Sequence, residues 1–428
     1  MTARTRSIRY TPLESQAKFH ALGTRFKGFS GPVGSGKSKA LCYEAVRLSY
    51  SNPNCAGLLG APTFHMLRDV TLPALFGILN EQQIPHDYYK SEGLLRLSEP
   101  DATIYLRGLA QSDALRGLNL TWFGVDELTY TQEASWMQLE ARLRQPGGVS
   151  YCGFGVWTPK GHDWVYQRFV AEPGEHYGLV KAQPFENRHI TKGNPIYYDL
   201  LKQSYSEGEY EQEVLGLYRV DNTNRVYSSY AREVNLKACA YDPTAPLLWT
   251  LDFNVDPMCS VVGQRVGREL RVIDELVLPR SGTEEMCSEF SERYRRQQAP
   301  ITIYGDASGN NRSTKGATDY EIVRRYLTKH TRFAFRVSVP RSNPAVRDRV
   351  ALVNTLLQNA AGDVQLLIDP KCVELVKDME QLKFKGTSSV IDKDADPSRS
   401  HLSDALGYMA WQEFTGQTKV GERGQPLL

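Results

Sequence analysis

Cysteine is sparse and scattered. The seven in this 428-residue chain form no Cys-x-x-Cys pair, which excludes a disulfide scaffold and a thiolate zinc site and fits a reducing compartment. An excess of one charge is missing too. Lys and Arg total 51 against 49 Asp and Glu, a formal balance of +2. The chain is therefore no polycation, and contact with nucleic acid must come from local basic patches such as SERYRRQQ and VRRYLTKHTRFAFR. No apolar run approaches the ~20 residues of a membrane-spanning helix, so no membrane partner is expected. The opening stretch MTARTRSIRY is basic but lacks an apolar core, and it does not read as a secretory signal. Internal repeats and long low-complexity tracts are also absent. What remains is ordinary globular composition, 41% apolar and 23% charged, in a chain long enough that two domains are the default.

The first chemical signal is GPVGSGKS, Gly31 to Ser38. RFKGFS before it reads as a strand, and KSKALCYEAVRLSYS after it as a helix with an apolar face from Ala40, Leu41, Ala45, Val46 and Leu48. A loop with glycines at 31, 34 and 36 between a strand and a helix lets backbone N–H groups turn toward phosphate oxygens, and the helix N-terminus adds positive potential. Lys37 then reaches the β- and γ-phosphates of ATP, and the Ser38 hydroxyl ligates Mg²⁺. LTWFGVDEL supplies the partner strand, ending in Asp126 for the metal shell and Glu127 as the base that polarises water. Upstream, Gln16 either reads the adenine edge through its amide or is an ordinary polar helix residue. The strand YCGFGVWTPKG ends in Thr158, which either senses the γ-phosphate or closes a turn.

The second half carries different chemistry. TAPLLWTLDFNVDPMCSVVGQRVGRELRVIDELVL reads as three strands joined by turns, with Asp252 inside the first. A carboxylate in so apolar a strand is costly unless paired or metal-bound. The strand in APITIYGDASGNN ends in Asp306, and the helix in SRSHLSDALGYMAWQEF carries Asp404 near its start. Three carboxylates from two strands and a helix suit two Mg²⁺ ions that activate water and stabilise the leaving oxygen of a phosphodiester. His401 either supports that site or sits exposed at the helix start. Arg341, Arg347 and Arg349 form a basic cluster suited to a DNA backbone.

GPVGSGKS, WFGVDE, WTP, LDFNVDP, IYGDASG and HLSDALGY, in that order, resemble the large terminase subunit of tailed bacteriophages, from about Thr11 to about Phe414. The resemblance implies an α/β chain: a P-loop ATPase of the additional-strand type, then a nuclease of the RNase H or resolvase fold. It implies that ATP hydrolysis drives double-stranded DNA into a procapsid and that Asp252, Asp306 and Asp404 are the metal ligands of an endonuclease using Mg²⁺ or Mn²⁺. It also implies a portal protein, a small terminase subunit and neighbouring copies in a ring as partners, in the host cytoplasm. Arg116, in the LRGL segment before the Asp-Glu strand, takes the place of an arginine acting on a neighbour's ATP, with Arg142 and Arg144 as competitors. FNVDP departs from the family pattern, which brings Asp256 forward as a supplementary ligand. The expected layout is a motor domain over 1–220, a linker over 221–245, a nuclease over 246–415 and a tail over 416–428. A helicase-nuclease of repair or restriction, and an ATP-dependent scaffold without cleavage, stand as alternatives.

Overall fold

A computed structural model describes residues 8–110, 115–161, 163–218, 224–253, 256–310, 316–385, 390–392 and 399–415. The tail over 416–428, the first three linker residues and part of the KDADPSRS loop lie outside the described residues. Two compact units divide the chain, one of Met1–Asp199 with Glu209–Val220, the other of Leu200–Gly208 with Asp221–Leu428.

The first unit is built on an eight-stranded sheet. Its strands are β1 (Phe26–Ser30), β2 (Ala56–Ala61), β3 (His86–Tyr89), β4 (Leu94–Leu97), β5 (Ala102–Gly108), β6 (Trp122–Val125), β7 (Cys152–Trp157) and β8 (Tyr177–Lys181). They lie in the order β3-β4-β5-β2-β6-β7-β1-β8. Pairing is parallel from β5 through β2, β6, β7 and β1 to β8, and antiparallel across β3, β4 and β5. The parallel strands at the centre are buried along their length, as strands covered on both faces must be. The strand that leads into Gly31 and the strand that leads into Asp126 are separated by β7. That is the additional-strand arrangement of P-loop ATPases.

The helix Lys37–Ser51 packs its apolar face, Leu41, Ala45 and Leu48, into the main core of this unit. One charge is also inside. Glu44 is fully buried and gathers Lys27 Nζ at 2.9 Å, His20 Nδ1 at 2.8 Å and Arg47 Nη2 at 2.6 Å. This network explains how a lysine sits in the middle of β1, and it ties that strand to the helix that follows the phosphate loop. After β2 the chain turns at Thr63, whose hydroxyl caps the Met66 N–H at 3.2 Å, and runs helically to Glu81, with a wide π turn over Leu67–Thr71.

The second unit holds a six-stranded sheet: β9 (Leu247–Asp252), β10 (Met258–Val266), β11 (Glu269–Leu278), β12 (Ile301–Gly305), β13 (Phe335–Val337) and β14 (Leu366–Ile368). The order is β13-β12-β9-β10-β11-β14, with β9, β10 and β11 an antiparallel meander and β12, β13 and β14 joined in parallel. A meander flanked by parallel strands on the side of its first strand is the RNase H-like topology. The helix His401–Thr415 covers the sheet, burying Leu402, Leu406 and Met409 in one cluster with Leu248, Val261 and Tyr304.

The stretch expected as a linker differs from that expectation where it is described. Val226, Tyr227 and Tyr230 are buried in the second unit's core, and Asn354 fixes the segment by donating to Val226 O and accepting from Ser229 N. A polar, turn-rich composition hid three large apolar side chains. Residues 200–208, placed in the motor domain by the sequence, also pack with the second unit.

Candidate functional site

In the first unit, the loop from Gly31 to Gly36 turns sharply because Gly34 and Gly36 take positive φ, 75° and 79°. Gly36 caps the helix that begins at Lys37. The amide of Asn187 donates to Gly34 O at 2.6 Å, and Val33 N donates to Glu213 O at 2.6 Å, so chain from far downstream closes over the loop. The Lys37 ammonium donates to Gly31 O and Pro32 O, both at 2.8 Å. It is nearly buried, and burial pushes its pKa down, while Glu127, Asp126 and Glu213 pull it up. The loop thus holds its own cation over the space its backbone surrounds.

Asp126 follows β6, across β7 from the loop, and is 2% exposed. Three donors converge on it: Thr71 Oγ1 at 2.8 Å, Glu127 N at 3.1 Å and Ser38 Oγ at 3.4 Å. Burial raises its pKa, and the Thr71 and Ser38 hydroxyls and the Lys37 charge oppose the rise. Glu127 follows with φ 50°, a left-handed backbone that a glutamate adopts at a cost and that turns it out of the strand direction. Its carboxyl is also raised by burial, with Lys37 acting against the rise.

Gln16 lies beside the loop at a cavity of about 390 Å³ whose lining includes Tyr10, Gly36, Tyr43 and Arg188. Its amide is engaged within the protein: Oε1 accepts from Tyr10 OH and Leu13 N, each at 2.9 Å, and Nε2 donates to Gly36 O at 3.0 Å. The side chain therefore binds the N-terminal segment to the phosphate loop. Thr158 is buried at the end of β7, and its carbonyl accepts from Thr129 Oγ1 at 3.4 Å. Arg116 is exposed, and Arg142 and Arg144 flank the stretch after the Asp-Glu strand; Arg144 Nε donates to Asn119 Oδ1 at 2.9 Å.

In the second unit, register brings two carboxylates together. Gly305 pairs with Leu251 across the parallel strands β12 and β9, so Asp306 and Asp252, each one residue further on, emerge at the same end of adjacent strands. Asp404 reaches the same place from the first turn of the helix that crosses the sheet. All three line one cavity of about 590 Å³, together with Arg349, His401 and Tyr408. Burial pushes the Asp252 carboxyl up, the His401 imidazole opposes this, and the charges of Asp404 and Asp306 add to the rise.

Each carboxylate has its own donor. His401 Nδ1 lies 3.1 Å from Asp252 Oδ2, Asn343 Nδ2 donates to Asp306 Oδ1 at 2.5 Å, and Arg349 Nη1 donates to Asp404 Oδ1 at 3.1 Å. The Arg349 guanidinium also sits 4.1 Å from the centre of the Tyr408 ring. Among the described residues, no group of three or more His, Cys, Asp and Glu side chains stands in a metal-holding arrangement. The donor chemistry itself, carboxylate oxygens around one open cavity, is the kind a hard divalent cation takes.

Asp256 is exposed and turned away, its carboxylate accepting from Arg280 N at 3.2 Å, and it is not part of the cavity lining. Arg341 and Arg347 do not line it either, whereas Arg349 does. Sequence reasoning missed several contacts. Thr71 and Glu213 approach the phosphate loop and its acid pair from distant segments, and Asn343 and the Arg349–Asp404 pairing appear only in three dimensions. The one advance signal was the basic cluster of Arg341, Arg347 and Arg349, read as a DNA-backbone contact, of which Arg349 instead pairs with Asp404. Among the described residues, no helix is long and apolar enough to cross a membrane.

No family model matches the sequence, and no curated protein does. Solved structures do match in fold. The large terminase from a thermophilic bacteriophage superposes with a TM-score of 0.63 at 14% identity, covering 94% of this chain and 99% of that one. The same phage's enzyme in complex with ADP and in complex with ATP-γ-S each gives 0.61, at the same identity and coverage. At this identity the likeness is one of fold, and it spans both units.

Proposed function

We propose that this chain is the large terminase subunit of a tailed bacteriophage, a motor that hydrolyses ATP to drive double-stranded DNA into a procapsid and a nuclease that cuts the concatemer. The observation that supports this best is the conjunction within one chain: a phosphate loop facing an Asp-Glu pair across an added strand, and three carboxylates around one cavity of an RNase H-like sheet. The thermophilic phage's terminase, of the same fold over nearly its whole length, takes ATP-γ-S.

In this reading the backbone of Gly31, Gly34 and Gly36 cradles the phosphates. Lys37 exchanges its two carbonyl partners for phosphate oxygens, which stabilises charge as the γ-phosphoryl group leaves. Ser38 and Asp126 hold Mg²⁺, Glu127 orients water, Gln16 lines the base pocket and Thr158 reads the γ-phosphate. Arg116 acts on the ATP of a neighbouring copy in a ring docked on the portal protein, with a small terminase subunit selecting the DNA.

In the second unit Asp252, Asp306 and Asp404 hold divalent metal, Mg²⁺ or Mn²⁺. When bound, the metal supplies an activated water and stabilises the leaving oxygen of a phosphodiester. His401, Asn343 and Arg349 hold the carboxylates in place and offset their mutual repulsion. Contacts to DNA run through phosphates, so cleavage shows little sequence preference and binding weakens steeply with salt.

Two variants measured in two assays test this. Lys37→Ala is expected to lower ATP turnover ~100-fold or more while plasmid cleavage in Mn²⁺ persists, since a lost charge stabiliser costs several kcal/mol of barrier. Asp306→Ala is expected to abolish cleavage while ATP turnover persists. Normal turnover in the first variant removes the motor assignment, and normal cleavage in the second removes the nuclease assignment.

A further inference from the structure

Thr71 belongs to neither recognised motif, yet its hydroxyl makes the shortest hydrogen bond to Asp126, 2.8 Å to Oδ2. It is 1% exposed. The other donors, Ser38 Oγ at 3.4 Å and Glu127 N at 3.1 Å, both go to Oδ1, so Thr71 alone among the donors described holds the second oxygen. Thr71 ends the π turn Leu67–Thr71, just before the α-helical run Leu72–Glu81. Its carbonyl lies 3.6 Å from Cys42 Sγ, on the helix that starts at Lys37. Leu72 and Leu75, directly after it, pack in the same core as Leu41 and Ala45 of that helix.

We infer that Thr71 is a positioning residue for the ATPase centre: its hydroxyl fixes the rotamer of Asp126, and the π turn exists to bring that hydroxyl to the carboxylate. The physical argument runs through the other donors. Ser38 donates its one hydroxyl proton to Oδ1 at 3.4 Å, the longest of the three bonds, and leaves Oδ2 unrestrained. The Glu127 N–H is fixed by a strained φ and cannot follow the carboxylate if it swings. Thr71 is then the side chain that keeps Asp126 aimed when nucleotide arrives. A one-residue π insertion shifts the register of a helix by about 100°, and such insertions collect at functional sites for this reason. The same turn carries Arg68 and Val70 on its exposed side, so the segment that holds Asp126 from within also presents a surface outward.

The inference rests on the ATPase reading, and the test separates the two. Thr71→Val keeps size and branching and removes the hydroxyl; Thr71→Ser keeps the hydroxyl and removes a methyl. Three quantities are measured on the full chain: kcat for ATP, the Mg²⁺ concentration at half-maximal rate, and the affinity for ATP-γ-S in chelator. Thr71→Val is expected to lower kcat about ten- to hundredfold, as loss of a hydrogen bond to a charged group implies, and to raise the Mg²⁺ requirement. ATP-γ-S affinity in chelator is expected to stay within about twofold, and Thr71→Ser to recover kcat to within about threefold of the parent. A Thr71→Val chain with parental kcat and Mg²⁺ dependence overturns the inference and leaves the ATPase reading standing. Equal losses in the two variants also overturn it, because they trace the effect to packing. A parent chain that turns over no ATP takes down the reading and this inference together.

Discussion

Replacing Arg349 with Met tests the electrostatics of the carboxylate cavity without reference to cleavage. The Arg349 and Asp404 side chains are 3.1 Å apart and only 6% and 18% exposed. At that separation, an effective dielectric of ~20 gives an attraction of about 5 kcal/mol. Breaking a buried pair from one side typically costs ~3–5 kcal/mol, because the remaining charge is left uncompensated. Methionine retains much of the aliphatic bulk against Tyr408, so packing loss is the smaller part. In a unit of this size each kcal/mol moves the midpoint by about 2–4 °C, which predicts a fall of roughly 6–20 °C in the second unit's unfolding. The assay is thermal unfolding of the full chain in chelator. The double variant Arg349→Met with Asp404→Asn is expected to recover most of the loss, since it removes the stranded charge. A midpoint within about 2 °C of the parent, or a double variant no more stable than the single, refutes the reasoning.

Glu44→Gln is expected to destabilise the first unit by ~3–5 kcal/mol at neutral pH, because Lys27, His20 and Arg47 lose their shared anion. The carboxyl of Glu44 is held well below its ordinary range, against the effect of its burial, by Arg47, His20 and Lys27. Its stabilisation is therefore present above the unfolded pKa of about 4.3 and lost as pH falls toward the folded value, so the gap between parent and variant in a denaturant titration should narrow in acid. Arg116→Ala is expected to lower ATPase activity only in portal-docked motors, where a neighbouring copy presents its nucleotide. An equal loss in isolated chain would place the role of Arg116 within its own subunit.

The parts of the site legible in the sequence are those set by local geometry. Gly34 and Gly36 announce a loop that needs positive φ, Lys37 and Ser38 follow at fixed spacing, and Asp126 closes an apolar run that has to be a buried strand. The acidic residues of the second half were legible for a related reason: Asp252 and Asp306 stand in or at the end of strands too apolar to accept an unpaired charge. The misreadings come from contacts no local pattern encodes. Thr71 is an unremarkable threonine in a helical stretch, and only an irregular turn brings it to Asp126. Glu213 returns to the phosphate loop from far down the chain. Lys27 looks like a misfit in a buried strand until Glu44 supplies its counter-charge. The segment from Asn224 to Tyr230 reads as polar linker because its anchors, Val226, Tyr227 and Tyr230, are outnumbered by the turn residues around them.

The borders of the two sheets bear on how copies of the chain can associate. In the second unit the outermost strands, β13 and β14, are three residues each, and in the first the outer strands β3 and β8 are four and five residues. Strands this short expose few unpaired backbone donors and acceptors, and a charged residue on one of them further discourages an incoming strand. These borders offer no long template for growth by strand addition. Any contact between copies along these described edges is left to side-chain surfaces, which can be separated and re-formed without unzipping a hydrogen-bonded ladder.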